Sequence, residues 1–199
     1  WTGGVLLGAG LVAHLVSFAS VVRHRRRAVE LLHAFVVASA VFLVVAMVAA
    51  VVAAVAPIGP DTRTRVVSVE IASAAMWLAL AVVGHVHKVV PFIAWGRLRE
   101  RGVTTTPDGK PLLFAHLFDA RVARATFAAA VIGAAALVGG LASRAPELVR
   151  LAGVALAVTG ALATTNLVAG PLRVVRASRR PADPTPHAVK PVAATARAS

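Results

Sequence analysis

The sequence contains no cysteine and no tyrosine, and acidic residues are scarce. Without cysteine the chain forms no disulfide, no thiolate metal site and no iron–sulfur cluster. Without tyrosine it lacks one common radical and proton-relay side chain. Charged residues make up only 15% of the 199 residues, against roughly 25% in an average soluble domain. These absences exclude thiol chemistry and argue against a soluble fold.

Apolar residues dominate instead, at 58% of the chain, and the mean hydropathy is +0.80. They arrive in long runs of Ala, Val and Leu, and a helix needs about 20 apolar residues to cross a hydrocarbon core of about 30 Å. The runs lack the period of two that barrel strands show. The sequence therefore predicts an all-α integral membrane protein, a bundle of about five transmembrane helices within residues 1–172. The expected spans are 1–22, 29–57, 66–95, 122–143 and 148–172, and residues 173–199 are expected to form a basic, Pro-rich disordered tail.

The positive charge follows the topology of such a bundle. The chain has 21 Lys and Arg against 8 Asp and Glu, a formal net charge of +13. Basic residues crowd the connection after the first span, the loop at 96–121 and the tail, while the intervening connections hold few. Cytoplasmic loops of membrane proteins carry this excess. We therefore expect the N-terminus outside, the C-terminus in the cytoplasm, an inner (plasma) membrane location, and lipid rather than nucleic acid against the arginines.

The segment "GHVHK" at 84–88 places three ionisable side chains in the third span. At about 100° per residue, His85 and His87 project about 200° apart, so they serve two separate sites rather than one chelate. Lys88 shares a face with His85, although it can also extend along its stem to the membrane interface. Pro91 has no N–H, which removes the usual partner of the His87 carbonyl and predicts a kink.

Other histidines are expected in the same half of the membrane. His85 and His87 lie about 12–15 Å from the inner end of the span near Trp95, and His14 lies about 12 Å from the inner end of the first span. Ionisable residues inside a membrane are costly and usually face a cavity, a cofactor or a neighbouring helix. For His14 and His33 a plain interhelical hydrogen bond remains an alternative. The histidines expected in this half are His14, His33, His85, His87 and His116.

A His-x-His pair whose rings leave opposite sides of one transmembrane helix resembles the catalytic subunit of the haem-copper oxidases. The continuation "KVVPFIAW" is similar to a divergent branch of oxidase-like bacterial membrane proteins. Two predicted spans follow the pair, as two helices follow it in the family. The resemblance implies that the five spans correspond to the last five of twelve helices, and that an N-terminal helical half is missing.

The resemblance implies a b-type haem. His85 would ligate a high-spin haem and His87 a low-spin haem, and the haem hypothesis places His33 or His14 opposite. The family's copper ligands and tyrosine would lie in earlier helices. The chain would therefore be at most part of an oxidoreductase, and whether it is an enzyme stays open.

Three functions remain open from the sequence. The first is a haem-binding, oxidase-like subunit or fragment that transfers electrons or binds a gaseous ligand. The second is a non-catalytic structural subunit of a larger membrane complex, whose histidines are interhelical contacts. The third is a proton- or solute-conducting bundle with an intramembrane chain of ionisable groups. Its candidate residues are Glu30, His33, His85, Lys88 and Asp119.

Overall fold

The long apolar runs form helices, because a backbone in hydrocarbon must satisfy its polar groups within its own segment. The computed structural model describes residues 2–24, 31–106 and 109–178, and these ranges hold no strand beyond an isolated bridge between Thr105 and Pro111. The prediction of an all-helical protein is confirmed for them. In chain order the helices are α1 (Thr2–His24), α2 (Leu31–Val55), α3 (Pro60–Glu100), a 3₁₀ helix (Phe114–Leu117), α4 (Ala120–Ser143) and α5 (Pro146–Ser178).

Helices α2 and α3 form the first antiparallel hairpin. Pro60 begins α3, a position where its missing N–H would in any case be unpaired. Small and aromatic residues on one face of α2 are buried, while valines such as Val41 and Val48 on the other face are more than half exposed. An exposed apolar face of this kind is typical of a helix that contacts the lipid hydrocarbon. The buried stripe of α2 consists of Phe35, Ser39, Phe42, Ala46 and Ala49.

Helices α4 and α5 form the second hairpin, with a connection of two residues between them. Arg144 takes the left-handed conformation, with φ of 57°, and its N–H donates to the carbonyl of Gly140. Close packing follows from small residues. A Cβ added at Gly133 would lie 2.9 Å from Leu156 Cγ, and one at Gly140 would lie 2.9 Å from Val149 Cγ2.

The two hairpins share an apolar core. Phe35 and Phe42 of α2 and Leu80 of α3 pack with Ala130 and Ala134 of α4 in one buried cluster. Phe35 is fully buried, and its ring meets the Phe127 ring edge-on, with 4.9 Å between centroids. Because Phe35 contacts both neighbouring helices, it fixes how the hairpins meet at this level.

The segment from Arg101 to Asp119 folds back against α3 and α5. Trp95 Nε1 donates to the Leu112 carbonyl at 2.7 Å, and Leu112 joins a second buried cluster with Leu98, Leu117 and Val174. Asn166 of α5, which is 2% exposed, forms two hydrogen bonds to the backbone of Asp119: its Oδ1 accepts from the N–H at 2.8 Å, and its Nδ2 donates to the carbonyl at 3.1 Å. This long-range pair attaches the start of α4 to α5.

Asn166→Ala is expected to destabilise the protein by about 1–2 kcal/mol, because it leaves the partly buried N–H of Asp119 without its partner. The Asp119 carbonyl loses one donor but still accepts from the Ala123 N–H at 2.9 Å. Thermal unfolding in detergent micelles measures the loss. Thr165→Ala is the matched control, since Thr165 is exposed and bonds only within its own helix, to the Ala161 carbonyl. Equal unfolding temperatures for the two variants would contradict the role given to Asn166.

Four helices are long and apolar enough to cross a membrane: α2, α3, α4 and α5, the last over Pro146–Arg176. Helix α1 carries a shorter apolar stretch, Gly8–Ser20. Among the described residues α1 makes no extended packing contact with the other helices, and a Cβ added at Gly8 or Gly10 would meet nothing within 4 Å. By length and hydropathy, the described part of the chain thus contains four helices able to span a membrane and a shorter fifth candidate, which indicates a multi-pass membrane protein.

Two helices extend beyond the expected spans. Helix α3 runs without a break through Pro91 to Glu100, and α5 runs through Pro171 to Ser178, into the segment expected to be disordered. Their extra turns pack against the segment from Arg101 to Asp119, which shelters Leu98 and Val174. The remainder of the expected tail, 179–199, lies outside the described residues.

Candidate functional site

His85 and His87 both project from α3, and the structure gives them opposite environments. His85 is exposed, whereas His87 is only 7% exposed. Each imidazole donates Nδ1–H to the carbonyl one turn earlier, His85 to Ala81 at 2.7 Å and His87 to Val83 at 2.8 Å, which requires a tautomer with a proton on Nδ1. In this tautomer Nε2 is the basic nitrogen, the arrangement in which metal-ligating histidines are usually held.

The His87 ring is held against α2. Phe35 stacks on it with centroids 5.8 Å apart and 21° between the planes. Gly84 makes this approach possible, because a Cβ there would lie 2.6 Å from Phe35 Cβ. His87 Nε2 is fully covered and has no hydrogen-bond partner. A polar atom in this state is unfavourable unless a ligand or a local movement provides a partner.

The remaining histidines predicted as ligands lie on other helices. His33 is on α2, partly buried, and its Nδ1 is covered without a partner. His14 is exposed on α1, which makes no extended contact with α2 or α3 in the described part of the chain. Within the described residues no group of three or more His, Asp or Glu side chains is placed to hold a metal ion.

Asp119, one candidate of the conduction hypothesis, has a structural role at the start of α4. Asp119 Oδ1 accepts from the N–H groups of Arg121 and Val122, at 2.7 and 3.3 Å, and so caps the start of α4. Such a cap satisfies two N–H groups that a helix start otherwise leaves unpaired. Glu30 lies outside the described residues.

A pocket of about 390 Å³ opens between α2, α3 and α4, and we call it the interhelical pocket. His87 and Gly84 form part of its wall, and two cations, Lys88 and Arg124, belong to its lining. Both cations are exposed, and Arg124 Nε donates to the Ala120 carbonyl at 3.2 Å. The other lining residues are Leu31, Leu32, Phe114, Phe118 and Ala120.

The interhelical pocket lies at one end of the bundle rather than in its middle. Phe35, which stacks on His87, is about one turn from the start of α2, and Arg124 is about one turn from the start of α4. Helix α3 continues about 20 Å past His87 to Glu100. The Trp95 end of α3 therefore extends beyond the starts of α2 and α4, whereas His87 lies level with them.

Lys88 and Pro91 occupy different surroundings. Lys88 is exposed at the level of the helix starts, whereas Pro91 is buried inside the continuous α3 helix. Exposed Phe92 tilts against the Trp95 ring, 5.9 Å between centroids, and the Arg99 guanidinium lies 4.9 Å from the centre of that ring. The polar end of α3 is thus marked by an aromatic and a cation, as at a membrane interface.

Sequence reasoning missed three residues of this site. Gly84 and Phe35 set the approach of α2 to α3, and Arg124 adds the second cation of the interhelical pocket. Gly84 directly precedes His85, and a glycine at that point of a helix was the available signal for close packing. In the sequence Arg124 is an ordinary arginine near the start of a helix, and nothing there indicates that it shares a pocket with Lys88.

No known protein family matches the chain, and neither does any curated protein or solved structure. The likeness to haem-copper oxidases therefore stays a prediction carried by the residues of α3.

Proposed function

We propose that the chain is a haem b-binding, oxidase-like subunit of a membrane complex, with His85 as the principal axial ligand. The observation that carries the proposal is the Nδ1–H bond of the exposed His85 to the Ala81 carbonyl. It fixes the ring and leaves Nε2 as a basic nitrogen directed away from the helix backbone. A haem iron takes this kind of ligand, and when bound it supplies one-electron chemistry or a site for a gaseous ligand.

The two histidines fit a haem unequally. His85 is exposed, so a planar cofactor can reach its ring from outside the described helices. His87 Nε2 is covered, and ligation there requires its neighbours to separate. His85 is therefore the first ligand of the proposal, and His87 is the second, dependent one. His33, with a covered Nδ1, and His14 stay candidates for an opposite ligand.

The proposal includes a partner that covers His85. A haem bound at the exposed His85 ring needs a second wall, so a further helix, from another subunit or from an N-terminal half of the protein, is expected to lie against this face. The alternating basic connections support an outside N-terminus, a cytoplasmic C-terminus and an inner (plasma) membrane location.

A structural subunit is the second candidate, favoured by one specific contact. The stacking of His87 on Phe35 at 5.8 Å packs the histidine into the core, where it contributes to helix association without any cofactor. In that case His85 would contact a neighbouring subunit through an interhelical hydrogen bond.

The visible absorption spectrum of the purified protein distinguishes these functions. With haem supplied during expression, the oxidised and dithionite-reduced spectra are expected to show a b-type α-band. We expect His85→Ala to abolish that band and His87→Ala to shift or weaken it, because of these two rings only that of His85 is accessible. His24→Ala is the matched control, since His24 is exposed on α1 and its Nδ1 bonds to Ser20 of the same helix.

A featureless spectrum from correctly folded, haem-supplied protein would reject haem binding and leave the structural subunit as the working function. A band that survives both His85→Ala and His87→Ala would reject the assignment to α3. Size-exclusion chromatography of each variant shows whether a missing band reflects lost ligation or lost folding.

A further inference from the structure

We infer that the interhelical pocket binds one anionic phospholipid, with the phosphate between Lys88 and Arg124 and an acyl chain along the apolar wall. The site lies where α3 faces α2 and α4, and the inference does not depend on haem. The apolar wall consists of Leu31, Leu32, Phe114 and Phe118.

The charge of the interhelical pocket selects an anion. Lys88 and Arg124 come from different helices, and among the described residues that line the interhelical pocket none carries a carboxylate. Guanidinium and ammonium groups bind phosphate oxygens through charge-assisted hydrogen bonds. Basic pockets between transmembrane helices are known to hold anionic head groups. Two cations beside one cavity therefore favour a phosphate over a zwitterionic or neutral head group.

The shape and level of the interhelical pocket select a lipid rather than a free ion. Its volume of about 390 Å³ far exceeds a phosphate, and two leucines and two phenylalanines supply an apolar wall. The cations stand within about one turn of the starts of α2 and α4, where the bundle ends and lipid head groups are expected. A lipid with an anionic head group matches both the two cations and the apolar wall.

The wall also contains a polar atom that needs a partner. His87 lines the interhelical pocket, and its buried Nε2 makes no hydrogen bond. Because Nε2 is fully covered, a head group in the interhelical pocket does not reach it in this structure, and His87 contributes to the wall through its ring surface. The proposed phosphate contacts are therefore those of Lys88 and Arg124.

The test is a lipid titration of delipidated, haem-free protein in detergent micelles, with bound lipid counted by native mass spectrometry. The probes are dioleoyl phosphatidylglycerol, dioleoyl phosphatidylcholine and inorganic phosphate. We expect phosphatidylglycerol to bind at least about tenfold more tightly than phosphatidylcholine, since each charge-assisted bond contributes at least that factor. Arg124→Gln and Lys88→Gln are each expected to weaken phosphatidylglycerol binding by about tenfold.

Arg121→Gln is the matched control. Arg121 is exposed on the same helix, three residues before Arg124, and does not line the interhelical pocket. Equal losses from Arg121→Gln and Arg124→Gln would overturn the site in favour of general interfacial charge. Equal binding of the two lipids would overturn the selection of an anion. Inorganic phosphate that binds as tightly as phosphatidylglycerol would overturn the assignment of the ligand as a lipid.

Discussion

Gly170→Ala is expected to lower the unfolding temperature by about 5–10 °C, the largest effect of any single methyl group added to this protein. Gly170 lies on the buried face of α5, and a Cβ there would collide with the backbone carbonyl of Leu117. The obstacle is backbone rather than a mobile side chain, so α5 or the segment from Arg101 to Asp119 must move. Overpacking of this kind costs about 3 kcal/mol.

Helix propensity alone predicts that Gly170→Ala stabilises the protein. Replacing glycine by alanine in a helix interior stabilises it by about 0.5–1 kcal/mol. Gly160→Ala is therefore the control, because Gly160 lies in the same helix and a Cβ there would meet nothing within 4 Å. We expect Gly160→Ala to keep or slightly raise the unfolding temperature. If both variants behave alike, the close contact between α5 and Leu117 is not a determinant of stability.

The movement of Leu117 relative to α5 in Gly170→Ala is also expected to change measurements on the neighbouring residues. Leu117 and Leu112 share a buried cluster, and the Leu112 carbonyl accepts from Trp95 Nε1 at 2.7 Å. Loss of that hydrogen bond changes the fluorescence of Trp95, and cleavage after Arg101 by trypsin is expected to accelerate. Both readouts report on the segment from Arg101 to Asp119 rather than on the spanning helices.

The helices of the bundle were predictable from the sequence, because their type depends on local hydropathy. Long runs such as the one in α2 leave no other structure for a backbone in lipid. Helix ends were predicted less well. Helix α3 continues to Glu100 and α5 to Ser178 because Leu98 and Val174 are buried against the segment between α3 and α4, a contact that local sequence does not reveal.

The same limit applies to the candidate site. Periodicity placed His85 and His87 on opposite faces, and the structure places one ring outside and the other inside. Which ring faces inward depends on where Phe35 meets α3, and that depends on the pairing of two helices. The bonds between Asn166 and Asp119 likewise join residues far apart in the chain. Contacts of this range require the assembled fold.

Gly84→Ala is expected to destabilise the protein by about 2–3 kcal/mol and to weaken anionic lipid binding at the same time. An added Cβ would lie 2.6 Å from Phe35 Cβ and 3.1 Å from Phe35 Cγ. Because a Cβ moves only with its backbone, α2 must shift away from α3. That shift changes the stacking of Phe35 on His87 and the wall of the interhelical pocket.

Gly96→Ala separates this contact from a general effect of alanine in α3. Gly96 lies in the same helix, and a Cβ there would meet nothing within 4 Å. Thermal unfolding and phosphatidylglycerol titration of both variants provide the comparison. We expect Gly96→Ala to match the unsubstituted protein in both, since it adds a methyl group to open space. Unchanged stability in Gly84→Ala would mean that α2 and α3 do not approach as closely as the Phe35 contact requires, and the position of His87 would have to be revised with it.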